Sequence, residues 1–507
     1  MLNRRAAISV LKASPSSGAS VKSYVLPAAL NLSTSPLLQD QALESLLSLF
    51  KELVGSNAVD FNELHSSLEG RLSDQDGKEG PHGKQTIGNL GKSIAIITAA
   101  TSAANRDAVV KDILVTLESK TKAETQQVQL ALLTSGDLGR LVDLSQMEGV
   151  APRLQTIYLS SFESSSEDVK HAAAYALGRA SVGAMDTFLP AILEALDQNS
   201  EKKQYLLLSA LRELIHCHKL DASGDIGPSV PLILPHLFTH STDKEEGVRT
   251  MAAECLGSLT CLQPAVILPQ LKDLVEKHSG KKVAEDASED DKAAAKTDAR
   301  ACWTVATSVK FAIAGKVDPD QLAPFMPTFL SLLKEEDIMV KNTTLLMVYS
   351  AVHHTPQLVT GLMQEHILPS LYELANLKMK RVVDMGPFKH TVDDALPLRK
   401  AALSIFATCL EKCPSSLDIS AFMPVLATAL GDVEDVQLQA HQIVISMCSR
   451  HPVAIATSVE SFVEPLEKTM NKKKGQKTGT ELERLNDWIK SAVRVMVVLS
   501  GVDGAMK

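Results

Sequence analysis

Apolar and polar positions follow a helical period along the chain, and one arrangement of them recurs. After Val169, small or apolar residues stand at +3, +4, +7, +8 and +11: Ala172, Ala173, Ala176, Leu177 and Ala180. After Val248 the same offsets give Met251, Ala252, Cys255, Leu256 and Leu259, and after Leu398 they give Ala401, Ala402, Ile405, Phe406 and Cys409. Weaker copies begin at Lys203 (Leu206, Leu207, Ala210, Leu211, Leu214), Val340 (Met347, Val348, Ala351) and Val436 (Ala440, Ile443, Val444, Met447), with a poor one at Ala299. Such offsets lay one apolar stripe along about three turns of α-helix. Acids precede the anchors (Glu167-Asp168, Glu245-Glu246, Glu335 to Asp337, Asp393-Asp394, Glu434-Asp435), and Lys170, Arg249, Lys341 and Arg399 follow them. Acids there meet the positive end of the helix dipole and can cap free N–H groups.

The anchors step by 34, 45, 51, 41, 58 and 38 residues. Between them lies a second helical stretch, often proline-started, as in Leu189-Pro190-Ala191-Ile192-Leu193 and Met326-Pro327-Thr328-Phe329-Leu330. Helix pairs of about 40 to 47 residues are the HEAT or armadillo period. The expected fold is therefore all-α, an α-solenoid of antiparallel helix pairs in which each repeat packs on its neighbours. The array is expected to run over residues 1–320, with C-terminal repeats over 321–502.

The two longest steps hold insertions. Residues 278–297 form a Lys/Asp/Ala/Glu tract that reads as a flexible, solvated loop. Residues 380–393 contain Gly386-Pro387, a turn signal flanked by β-branched runs, with Phe388, His390 and Val392 alternating on one side. That pattern predicts a β-hairpin. An isolated hairpin is marginal in water and needs a surface to pack on, so it reads either as a recognition device or as a ribbon folded onto its own solenoid.

Composition narrows the function. The 507 residues are 45% apolar but only 4% aromatic, which suits packed helices. A net charge of −9 disfavours nucleic acid as a partner. Seven scattered cysteines, an odd count, read as reduced thiols of the cytosol or nucleus. No apolar run is long enough to suggest a membrane span. The stretch Met1 to Gln39 has Arg4, Arg5, Lys12 and Lys22 but no acid, as transit peptides do, yet Ala7, Val10 and Leu11 share a helical face that Pro15 to Gly18 would end.

Catalytic motifs do not survive inspection. Gly91-Lys92-Ser93 resembles the tail of a phosphate-binding loop, but the required earlier glycine is Thr86 and the residues run on into a helical pattern. Cys409 and Cys413, His216-Cys217-His218 and His353-His354 could each begin a metal site, but no second pair stands at a suitable distance, and Cys409 lies on the apolar stripe. No nucleophile sits in a recognisable context, so the chain reads as a non-enzyme without cofactor or metal. Lys472-Lys473-Lys474 with Lys477 reads as a solvated loop or an import signal.

The hairpin carries a more specific signal. Met385-Gly-Pro-Phe-Lys-His-Thr-Val-Asp-Asp394 followed by Leu398-Arg-Lys-Ala-Ala402 resembles the C-terminal part of the cullin-associated, neddylation-dissociated family, HEAT-repeat exchange factors of cullin-RING ubiquitin ligases. Further stretches resemble it in the same order: Ser35 to Gln39 with Ala42-Leu43, Leu130 to Ser145, Ser165 to Lys170 with Ala172 to Gly178, Gln204 to Leu208, and Val463 to Leu466. The resemblance favours a HEAT helix for Arg4 to Ala13 over a transit peptide. It implies about the C-terminal 40% of the family's length, either a fragment or one product of a split gene that associates with a separate N-terminal half.

The resemblance also implies a function. In the family the C-terminal repeats clasp the cullin's N-terminal domain and the hairpin occupies the adaptor site, so that binding of this factor and of the substrate-receptor adaptor is mutually destabilising, a reciprocal negative coupling. The missing arm grips the cullin's C-terminal domain and its RING subunit, and the unneddylated cullin is the form sequestered. Carried onto this sequence, Val383, Met385, Phe388 and Val392 would supply apolar contact. Lys389, His390 and Asp393 would be polar groups at the rim, Thr391 would lie within the strand, and Gly386-Pro387 would make the turn. The alternative is another HEAT-repeat scaffold, such as a nuclear-transport receptor or a phosphatase scaffold. Residence would be cytoplasmic, nuclear or both.

Overall fold

The computed structural model describes residues 21–73, 83–119, 125–198, 201–220, 225–281, 287–385, 388–472 and 478–504. These form two compact units that meet in sequence at His236 and Leu237. Arg4 to Ala13, Gly386-Pro387 and Lys473, Lys474 and Lys477 lie outside the described residues.

In the first unit, helices α1 (Leu26–Ser33), α2 (Asp40–Gly55), α3 (Phe61–Ser73), α4 (Lys84–Ala100), α5 (Ala103–Glu118), α6 (Thr125–Leu141), α7 (Val150–Ser161), α8 (Glu167–Gly183), α9 (Met185–Gln198) and α10 (Glu201–Leu220) follow one another. The even-numbered helices α2 to α10 pack side by side as one row, and α3, α5, α7 and α9 back them as a second. This is the layering of HEAT repeats. The stripe after Val169 is buried on α8, and the one after Lys203 is buried on α10. Helices in the first row approach closely where glycine faces them. A Cβ added at Gly178 would collide with the Ala210 carbonyl and lie 2.8 Å from Glu213 Cβ. Charge is drawn into the same row: Arg179 of α8, almost wholly buried, stands 2.8 Å from Asp137 of α6 and 3.0 Å from Glu213 of α10.

The second unit repeats the plan. Its first row is α12 (Glu246–Leu262), α14 (Glu289–Ala314), α17 (Ile338–His354), α19 (Leu396–Lys412), α21 (Glu434–Arg450) and α24 (Gly479–Ser500). The second row comprises α13 (Pro264–His278), α16 (Met326–Leu330), α18 (Leu368–Asn376), α20 (Ile419–Leu430), α22 (Pro452–Ser458) and α23 (Glu460–Met470). Helix α11 (Val230–Thr239) contains the boundary between the units in sequence, and α15 (Pro319–Leu322) is a single turn. Phe406 packs between Phe422 and Tyr372, with ring centroids 4.6 and 5.4 Å away respectively.

Two expectations need correction. The tract 278–297 is not a loop throughout, because Glu289 onward is the opening of α14. Ser288 accepts from Asp291 N at 3.1 Å, three acids occupy the first turn, and Ala293-Ala294-Ala295 favours helix. His278 and Lys281 are tied to Asp298 of the same helix. The acids before the anchors are also not uniformly caps. Asp337 accepts from Met339 N and Val340 N at 2.8 and 3.0 Å, but α8 is capped by Ser166, and Glu245 makes no side-chain capping bond. Gly91-Lys92-Ser93 lies within α4, where Ser93 donates back to the Asn89 carbonyl.

Candidate functional site

The hairpin interrupts the helical rows between α18 and α19. Its strands are β1 (Lys380–Met385) and β2 (Phe388–Asp393), antiparallel, with Met385 opposite Phe388, Val383 opposite His390 and Arg381 opposite Val392. Directly opposed residues share a face, and faces alternate along each strand. The register therefore assigns positions 381, 383, 385, 388, 390 and 392 to one face. Positions 380, 382, 384, 389, 391 and 393 take the other. The expected apolar set, Val383, Met385, Phe388 and Val392, falls on a single face together with His390. Lys389, Thr391 and Asp393 fall on the opposite one.

Both faces are open to solvent where side chains are described. Val392 is 39% exposed on one face and Val382 65% exposed on the other. Arg381, Asp384, Lys389 and Thr391 are exposed as well, and Val383 is half-buried. Val382 is absent from the expected contacts, which on β1 are Val383 and Met385 of the opposite face. The strand register sets Val382 opposite Thr391.

The base of the hairpin is held by charge. Arg399 of α19, 1% exposed, stands 2.8 Å from Asp393 and 3.0 Å from Asp432, which precedes α21. Its Nη1 also donates to the Leu377 carbonyl at 2.7 Å, just before β1. Asp393 accepts from Met379 N and Ala395 N at 2.9 and 3.2 Å, and Arg381 pairs with Asp394 at 2.5 Å. Burial pushes the Asp393 carboxyl up, but the Arg399 guanidinium and the backbone N–H donors outweigh it and hold it below its ordinary value. Asp393 is thus engaged within the chain, whereas Lys389 and Thr391 are exposed. One guanidinium clamps the segment preceding β1, the end of β2 and the next helix-to-helix turn.

Other candidate chemistry lies apart from the hairpin. Cys409 and Cys413 sit at the end of α19, both buried; burial drives the Cys409 thiol far up, which makes it a poor nucleophile or ligand. His353 stacks on the Tyr349 ring and meets the His354 ring edge-on. Among the described residues no group of three or more His, Cys, Asp or Glu could hold a metal ion.

Residues 358–507, which include the hairpin and its clamp, match the TIP120 family, described as "TATA-binding protein interacting (TIP20)", and residues 233–260 match the HEAT repeat. The chain is 34% identical over 493 residues to Cullin-associated NEDD8-dissociated protein 1 of Arabidopsis thaliana, covering 96% of this chain and 38% of that protein. It is 33% identical to the Dictyostelium discoideum protein of the same name, covering 95% and 37%. It is 26% identical over 397 residues to the Emericella nidulans "Cullin-associated NEDD8-dissociated protein 1, C-terminal part", covering 77% and 35%. The chain therefore spans well under half the length of these relatives. Among solved structures, Kap95p from its complex with RanGDP superposes with a TM-score of 0.54 at 14% identity, covering 96% of this chain and 58% of that one, which shows the solenoid fold alone. Over nearly its whole length, then, this chain is a HEAT-repeat homologue of the cullin-associated NEDD8-dissociated proteins and resembles their C-terminal part.

Proposed function

We propose that the chain is a cullin-binding regulator that promotes adaptor exchange on cullin-RING ubiquitin ligases by binding alone, with the hairpin entering the adaptor site. One observation carries the reading: among the described residues a two-stranded ribbon presents exposed side chains on each face of an otherwise helical scaffold, its base pinned by Arg399. A free two-stranded sheet gains little by itself, so a clamp that holds it out toward solvent serves a surface still to come. The face bearing Val383, Met385, Phe388, His390 and Val392 supplies apolar contact, with Lys389 and Thr391 on the reverse side. Asp393 acts from within, by fixing the angle of the ribbon. In the family a second contact comes from the N-terminal arm. Without it, the avidity of two linked contacts is lost and binding is weak.

The test is a pull-down from native extract with this chain as bait, as wild type and as Met385→Ala with Phe388→Ala, read by mass spectrometry and followed by adaptor dissociation from the recovered cullin. Cullin recovered by the wild type and lost with the double variant supports the reading. Equal recovery by both removes the hairpin from it. Transport cargoes or phosphatase subunits without cullin overturn it.

A further inference from the structure

In the first unit the second-row helices α5 and α7 touch, as do α7 and α9. Between α3 and α5, by contrast, stands an open cavity of about 520 Å³ that reaches inward to α4 and α6. Ile94, Ile113 and Leu130 supply apolar walls. Simple helix stacking does not explain the polar groups beside them. Thr134 is 2% exposed, lines the cavity, and its hydroxyl meets no hydrogen-bond partner among the described residues. A buried hydroxyl left so costs on the order of 1–3 kcal/mol. His65 Nε2 is likewise buried and unpartnered, while Nδ1 stands 3.4 Å from Glu69. With Nδ1–H turned to Glu69, Nε2 is left as an acceptor. Glu69 on the α3 wall and Asp112 on the α5 wall are exposed, and among the described residues neither pairs with a lysine or arginine.

Each of these four groups can accept a hydrogen bond, and two of them carry negative charge. The complement is a ligand with several donors, one positive charge and an aliphatic body. A guanidinium offers five N–H donors in a planar fork on a three-carbon stem and loses less hydration than an ammonium does. A cavity of this size also exceeds what one or two waters need. We propose that the cavity between α3 and α5 is a recognition site for an arginine side chain presented by a partner protein. The stem lies along Ile94, Ile113 and Leu130, the fork donates to His65 Nε2 and Thr134 Oγ1, and Glu69 and Asp112 compensate the charge.

The probe is Nα-acetylarginine methylamide, titrated against the full chain by ligand-observed NMR, with the citrulline analogue as its neutral isostere. The arginine probe should bind saturably in the millimolar range expected for so small a ligand. The citrulline analogue and the Glu69→Gln with Asp112→Asn variant should each weaken binding at least tenfold, and Thr134→Val several-fold. Both carboxylates are exposed, so the double variant should fold even if Thr134→Val does not, and circular dichroism checks this. Equal binding of arginine and citrulline probes, or binding indifferent to the double variant, would overturn the site. Binding of n-butylguanidinium but not of the acetylated arginine would overturn a protein-borne occupant.

Discussion

Arg399→Met is the sharpest test of how the hairpin is held. The substitution keeps an unbranched apolar stem but removes a guanidinium that is 1% exposed and lies 2.8 Å from Asp393 and 3.0 Å from Asp432. Asp432 is 4% exposed and Asp393 13%, so both carboxylates lose a partner with little water to replace it. Breaking a buried pair from one side costs roughly 3–5 kcal/mol, and the partial exposure of Asp393 places the expectation near about 3 kcal/mol. Trp303 and Trp488 are the two tryptophans of the chain, and both belong to the second unit. Urea unfolding followed by tryptophan fluorescence therefore reports the unit that carries the clamp, and its midpoint should fall by about 1 M or more.

Adding Asp393→Asn and Asp432→Asn to Arg399→Met removes the stranded charges and should restore a good part of the loss. That rescue separates electrostatics from packing. The pH dependence has a definite sign. Asp393 titrates below its ordinary 3.8 in the folded state, so its contribution is complete above that value and disappears as pH falls through the folded pKa. The gap between wild type and Arg399→Met should accordingly narrow in acid. A midpoint shift of only a few tenths molar, or a triple variant no better than the single, would refute the clamp.

Two further outcomes are expected. Gly178→Ala should destabilise the first unit by about 1–3 kcal/mol because the new Cβ meets the Ala210 carbonyl, whereas Gly88→Ala, with nothing within 4 Å, should stabilise it by up to about 1 kcal/mol; thermal unfolding by circular dichroism decides, and two shifts of the same sign would refute the packing argument. His441 is wholly buried with Nδ1 3.0 Å from Ser491 of α24, and burial lowers its pKa from 6.5 to about 4. The unfolded chain then binds a proton that the folded chain refuses between those values, so stability falls with falling pH across that window, by at most about 3 kcal/mol. His441→Asn should flatten that slope in the fluorescence-detected midpoint, and an unchanged slope would assign it to other groups.

The helical rows were legible because the repeated stripe is a local property. Val169, Val248 and Leu398 announce their helices through offsets that any α-helix converts into one buried face. The hairpin was legible for a similar reason, since β-branched runs around Gly386-Pro387 leave few other conformations. The start of α14 was misread because a charged tract looks solvated, and its Ser288 cap and alanine run outweighed that composition. What required the tertiary structure was every relation between distant residues. Arg399 appeared in the sequence as one more basic residue after an anchor, equivalent to Lys170 or Arg249. Only the stacking of α19 beside α21 brings Asp432 to it, while the hairpin register brings Asp393, and the two together turn an ordinary surface charge into a buried clamp. The gap between α3 and α5 is likewise set by how whole helices diverge. Local sequence fixes which face of a helix is apolar, but the distance to the next helix depends on all the side chains between them, and that sum is decided only in the packed protein.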